Sequence, residues 1–113
     1  MMNNLFLFVG EKPSNLAIRK GWEWKDGRLA AKQLFDALEF CGINPVQQSF
    51  ANWFDGEQNV VRKYKGTIVA MGRKVERALI KENIPHLFIY HPATRGTVRR
   101  KELYCNHVKN ALL

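Results

Sequence analysis

Four short stretches put chemically capable side chains at the end of apolar runs: Gly10-Glu11-Lys12-Pro13, Asn52-Trp53, Met71-Gly72-Arg73 and His91-Pro92-Ala93. They supply a carboxylate, an ammonium, an amide and an imidazole, with Trp22, Trp24 and Trp53 nearby. An amide offers a donor and an acceptor side by side and can read the edge of a pyrimidine. An aromatic face can stack on a base for roughly 1–3 kcal/mol. An imidazole can hydrogen-bond a carbonyl oxygen that gains charge as a glycosidic bond breaks, a contribution of about 2.7–4 kcal/mol for one preorganised donor. A carboxylate can orient water or offset a cationic sugar. Each group alone also has a plain structural use, since a histidine after a strand commonly caps a loop and a Gly-Glu-X-Pro turn opens many loops. Gathered on one rim, they suit a planar, hydrogen-bonding ring.

These stretches meet only if the runs before them are strands lying side by side. Leu5-Phe6-Leu7-Phe8-Val9 is apolar at consecutive positions and stops at Gly10, the pattern of a central strand buried on both faces. Further strands are expected at about Gln48 to Trp53, at 66–72 between glycines, and at 85–90. Leu29, Ala30, Leu34, Phe35, Leu38 and Cys41 recur at helical steps and predict a helix from Arg28 that Gly42 stops. Residues 73–83 predict a short helix with Val75, Ala78 and Leu79 inward and Asn83 as its stop. The segment from about Val98 to Leu112 predicts a last helix with Tyr104, Val108, Ala111 and Leu112 on one side. The stretch 11–27 reads as a long loop, Asp55-Gly56-Glu57 as a turn, and the run through Lys65 as a weakly patterned basic connection. Strands alternating with helices imply an α/β chain: a three-layer α/β/α architecture around a four-stranded parallel sheet, one domain spanning 1–113. Ligands of such sheets collect at the carboxyl ends of the strands, where the four stretches fall.

The length of 113 residues allows a single core, and the 46% apolar and 12% aromatic content argues for a folded globule. Lys and Arg number 18 against 10 Asp and Glu, a formal +8. That surplus favours a polyanion through counterion release, or an anionic membrane surface. No apolar run approaches the roughly 18 residues of a membrane span, and the N-terminus lacks the basic-then-apolar pattern of a secretory signal. A soluble, intracellular, cytoplasmic chain without membrane attachment is expected. The two cysteines, Cys41 and Cys105, fall within the expected helices and fit reduced core residues better than a disulfide scaffold. They cannot supply four ligands to a zinc ion or an iron–sulfur cluster, and no metal or other cofactor is expected.

Five stretches in order carry a family resemblance: Gly10-Glu11-Lys12-Pro13-Ser14, GWEWKDGRLAAKQLFDAL (21–38), QSFANWF (48–54), IVAMGRKVERAL (68–79) and His91-Pro92-Ala93-Thr94. The chain resembles a small, reduced member of the uracil-DNA glycosylase superfamily, nearest its thermophile-type branch. The first stretch is similar to that family's Gly-Glu-Ala-Pro-Gly or Gly-Gln-Asp-Pro-Tyr strand end, and the last to its His-Pro-Ser-Pro loop. The resemblance implies that Asn52 reads the pyrimidine edge and His91 donates to the base carbonyl. Glu11 and Pro13 would shape the first loop near the sugar and the scissile bond, with Gly10 before them and Pro92 in the closing loop as further substrate-binding positions; Lys12, also on the substrate side, could bind a phosphate or pair with Glu11. Trp24 would stack on the base, with Trp22 as the alternate. Arg95, Arg99 and Arg100 would track phosphates, joined by Lys101 and Arg73. Three features depart from the family: Lys12 stands where an acidic, amide or small residue is usual, Thr94 replaces the second proline without a bulky wedge, and the four cluster cysteines are absent.

The expected function is DNA binding, single- or double-stranded, with recognition or excision of a deaminated or modified pyrimidine by N-glycosidic hydrolysis. An alternative on the same fold is a catalytically inactive nucleic-acid- or protein-binding module, since a protonated Lys12 cannot activate water. A small nucleotide-processing enzyme is a third reading. Arg99, Arg100 and Lys101 in the first turn of a helix oppose its dipole by about 0.3–1 kcal/mol each, and a bound phosphate would reverse that sign. Otherwise they form a solvated helix start capped by Thr97.

Overall fold

The computed structural model of the chain describes residues 5–28, 30–93 and 100–113. Strand β1 (Phe6–Gly10) is buried along its whole length, as its unbroken apolar run requires. Successive side chains enter opposite cores: Phe6 and Phe8 pack with Leu34, Leu38 and Tyr104, whereas Leu7 and Val9 pack with Val61, Val75 and Leu79. Strand β3 (Thr67–Met71) divides the same way, with Val69 and Met71 on the first face and Ile68 and Ala70 on the second. Helices α2 (Ala30–Phe40) and α5 (Lys101–Leu112) cover the first face, and α3 (Gln58–Lys63) and α4 (Arg73–Lys81) the second.

With β2 (Ser49–Asn52) and β4 (Leu87–Ile89), the sheet has four strands, all parallel, in the order β2-β1-β3-β4. The fold class is the predicted one. The register sets Gly10 against Asn52 and Met71 against Ile89. A buried amide pins the start of the first pair, because Gln48 Oε1 accepts the Phe6 N–H at 2.7 Å. The chain leaves β1 toward α2 on one face and β3 toward α4 on the other, so a crevice opens between the carboxyl ends of these two central strands.

Two short helices interrupt stretches that read as loops. Helix α1 (Asn15–Lys20) buries no residue and is held at its ends, where Ser14 Oγ accepts the Ala17 N–H and Gly21 takes a left-handed conformation. Helix α3 buries Val61 alone. Neither leaves the apolar stripe on which a helix is recognised. Cys41 falls just past the end of α2, half-buried, while Cys105 is buried within α5. Asn83 ends α4 with φ of 57°, in the stop role read for it. Leu29, Thr97 and Val98, where the last helix is expected to begin, lie outside the described residues. Among the described residues, no helix is long and apolar enough to cross a membrane.

Candidate functional site

Pairing of β1 with β2 runs on past the strands: Trp53 N–H donates to Gly10 O and Phe54 N–H to Glu11 O, both at 2.8 Å. The first loop is thereby fastened to the end of β2. On the other side of β1, Gly72 N–H donates to Ile89 O at 2.9 Å, and a Cβ on Gly72 would stand 3.4 Å from His91 Cβ. These backbone bonds bring Glu11, Asn52 and His91 to one open cleft of about 1360 Å³ at the carboxyl edge of the sheet. Lys12, Pro13, Trp22, Trp24 and Pro92 line the same cleft.

Trp24 joins these groups. Its Nε1–H donates to Asn52 Oδ1 at 2.9 Å. Its ring stacks on Phe50 with centroids 6.2 Å apart and 12° between planes, and Phe50 in turn stacks on Phe8 at 5.8 Å. The His91 ring stands edge-on to the indole, with centroids 6.0 Å apart. Gly10 makes room for this arrangement, because a Cβ there would come within 3.0 Å of Trp24 Cζ2 and 3.1 Å of Asn52 Oδ1. Trp24 opens a one-turn 3-10 helix (Trp24–Asp26) whose entry is tied by the Glu23 N–H donating to Asp26 Oδ2 at 2.7 Å. Asn52 is itself held at the backbone, where its N–H donates to Glu57 Oε1 at 2.9 Å.

His91 Nδ1 accepts the Ala93 N–H at 3.1 Å. Burial lowers the imidazole pKa from its ordinary value, against a smaller upward pull from the Glu11 carboxylate. The ring is therefore neutral near pH 7 with its proton on Nε2, a donor rather than a cation. The preceding residue is clamped by α5: His107 Nε2 accepts the Tyr90 N–H at 2.9 Å, and the Tyr104 hydroxyl donates to Tyr90 O at 2.7 Å.

Glu11 pairs at 3.9 Å with Lys74, whose ammonium also lies over the Phe54 ring. Lys12 is exposed and does not pair with Glu11. The Arg28 guanidinium covers Trp22 at 5.6 Å. Among the described residues, four carboxylates (Glu11, Glu23, Asp55, Glu57) and three cations (Lys12, Lys25, Arg28) line the cleft.

Other residues expected near the site stand elsewhere. Trp53 is buried in the core of the second face, with Arg62 over its ring, because it points away from its neighbour Asn52 on the strand. Arg73 does not line the cleft; its guanidinium lies 4.0 Å from the Phe88 ring centroid and bonds Glu76 Oε1 at 2.8 Å. Lys101 faces the seam of α2 and α5, 3.9 Å from Asp36, beside a hollow of about 450 Å³. Arg100 is exposed at the start of α5, where its carbonyl accepts the Tyr104 N–H at 2.8 Å. Arg95 and Arg99 lie outside the described residues.

Phe50, Glu57, Lys74 and His107 support the site but escaped the sequence reading, while Tyr104, read as an inward residue of the last helix, was not expected to serve the site. Only Phe50 carried a usable signal: two places before Asn52 on a strand, it must share that residue's face. Among the described residues, no group of three His, Cys, Asp or Glu side chains is placed to hold a metal ion. The chain matches no family model, no curated protein and no solved structure with which it was compared.

Proposed function

We propose that the cleft receives a nucleobase displaced from its stack, and that the chain is a DNA-directed, uracil-DNA glycosylase-like protein acting on a deaminated or modified pyrimidine. The observation that carries this reading is the meeting of Asn52, Trp24 and His91 in one cleft, the first two bonded at 2.9 Å and the last two with rings 6.0 Å apart. With Phe50 packed on one face of the indole, the other face is the one on which a base stacks. Asn52 reads the base edge. The neutral His91 Nε2–H donates to a base carbonyl and stabilises the charge that collects there as the bond from nitrogen to the sugar C1′ breaks. Water then adds to C1′ and its proton ends on the departing base, with Glu11 orienting the water or offsetting the cationic sugar. The formal +8 of the chain favours the polyanionic phosphate chain that carries the base.

Lys74 beside Glu11, and Lys12 on the same loop, favour a second reading in which the cleft binds a base without cleaving it, because cations near the sugar oppose a cationic transition state. Alkali treatment after incubation with a uracil-containing single strand separates the two. Strand scission at the uracil, lost in His91→Ala and Asn52→Ala, supports hydrolysis. Binding that falls steeply with salt, without scission and indifferent to His91→Ala, supports the binding module. A chain that neither cuts nor binds any strand in a panel of modified bases contradicts both.

A further inference from the structure

The bond between Trp24 and Asn52 fixes a polarity as well as a position. An indole Nε1–H can only donate, so the amide atom it meets at 2.9 Å is the oxygen, and the amide cannot turn over while that bond stands. Asn52 Nδ2 has no hydrogen-bond partner among the described residues. No buried side-chain nitrogen or oxygen among those residues is left without one, so this NH2 is open to the cleft that Asn52 lines. His91 offers a second donor, Nε2–H, because the Ala93 N–H occupies Nδ1. The indole has little room to swing away, with Phe50 across one face and Gly10 against Cζ2.

We propose that Trp24 is the specificity-determining residue of the cleft: by holding Asn52 Oδ1 through one of its lone pairs, it fixes the amide with its NH2 toward the ligand and selects a heterocycle with an exocyclic carbonyl at that edge over one with an exocyclic amine. This rests on the nucleobase reading above and adds to it a role for Trp24 distinct from stacking. An exocyclic amine would set N–H against N–H. An asparagine freed from the indole turns its oxygen outward and accepts that amine, so the selection depends on a hydrogen bond that Trp24 makes to Asn52 and not to the ligand.

The test uses the full chain and three short single strands that differ at one position, which carries uracil, cytosine or no base, with a 2′-fluorinated sugar there that resists glycosidic cleavage. Wild-type protein is expected to bind the uracil strand roughly tenfold tighter than the cytosine strand, the scale of one correctly matched base edge. Trp24→Phe keeps a ring and removes the donor, and the ratio is expected to collapse toward one. A residue that merely supports the fold would weaken both strands alike and leave the ratio standing. In the wild type, the bond itself is read as a through-hydrogen-bond NMR coupling between Trp24 Nε1 and Asn52 Cγ. Should Trp24→Phe fail to fold, Gly10→Ala replaces it, since its Cβ presses on both Trp24 and Asn52 Oδ1 and should lower the same ratio. A uracil preference that survives Trp24→Phe, or wild-type protein that binds uracil and cytosine equally well above the abasic strand, overturns the proposal and leaves the nucleobase reading intact. Wild-type protein that binds neither base better than the abasic strand overturns both.

Discussion

His107 Nε2 accepts the backbone N–H of Tyr90 at 2.9 Å, and Tyr90 is the residue that delivers His91 to the cleft. Tyr90 lies just past the last β3–β4 pair, Met71 with Ile89, where the ladder no longer satisfies its backbone. Helix α5 takes over with two side chains, His107 for the N–H and Tyr104 for the carbonyl. The position of the candidate donor thus depends on a helix that contributes nothing to the cleft lining.

Tyr104→Phe should show how much that clamp matters. Tyr104 is buried and its hydroxyl is the donor to Tyr90 O, so the variant leaves a part-buried carbonyl unpaired at a cost of about 1–3 kcal/mol. Urea unfolding should show a lower midpoint with an unchanged slope, and an unchanged midpoint would contradict the clamp.

Acid should loosen the same corner. Burial lowers the pKa of both His91 and His107, and each accepts a backbone N–H on a nitrogen that protonation would occupy. With folded values below the ordinary one of about 6.5, the unfolded chain takes up more protons as pH falls through that value. The stability these groups contribute is fully present above that pH and is lost as pH falls toward the depressed values. The urea midpoint should therefore drop on going from neutral to mildly acidic buffer, less so in His107→Gln. A midpoint that rises over that interval would contradict the assignment.

Gly72→Ala tests the backbone on the other side of His91. Gly72 has φ of 94° and ψ of 159°, a conformation that is strained for a residue with a side chain. The substitution should cost on the order of 1–3 kcal/mol and displace the His91 imidazole resonances. A stability equal to wild type would show that the turn relaxes freely.

How far the sequence could be read follows from what each residue packs against. Strand β1 was legible because both its faces are buried, and α2 because Leu34 and Leu38 enter one core at helical spacing. Glu11, Asn52 and His91 were legible as strand-end residues, since parallel pairing must carry such ends to one edge. Helix α1 was not, for it buries nothing and rests on its caps. The placing of Trp53 in the second core, away from the site, follows from alternation beside Asn52. The partners Lys74 and His107 come from other elements across the fold, and no local pattern announces a long-range contact of that kind.

Lys12 is an exposed cation at the cleft that does not pair with Glu11, and the proposed reading gives it a phosphate next to the base as partner. Lys12→Ala should weaken binding of a single strand and reduce the slope of log affinity against log salt by about 0.7, the share of one phosphate contact. An unchanged slope would remove Lys12 from the phosphate path.

The most direct test of a shared base-reading cleft is a titration of isotope-labelled protein with the cleavage-resistant uracil strand, followed at the Asn52 side-chain amide and the His91 imidazole together. Both signals are expected to move along one saturation curve, with the Trp24 indole N–H following them. Movement of neither, while the strand binds elsewhere on the chain, would contradict the account.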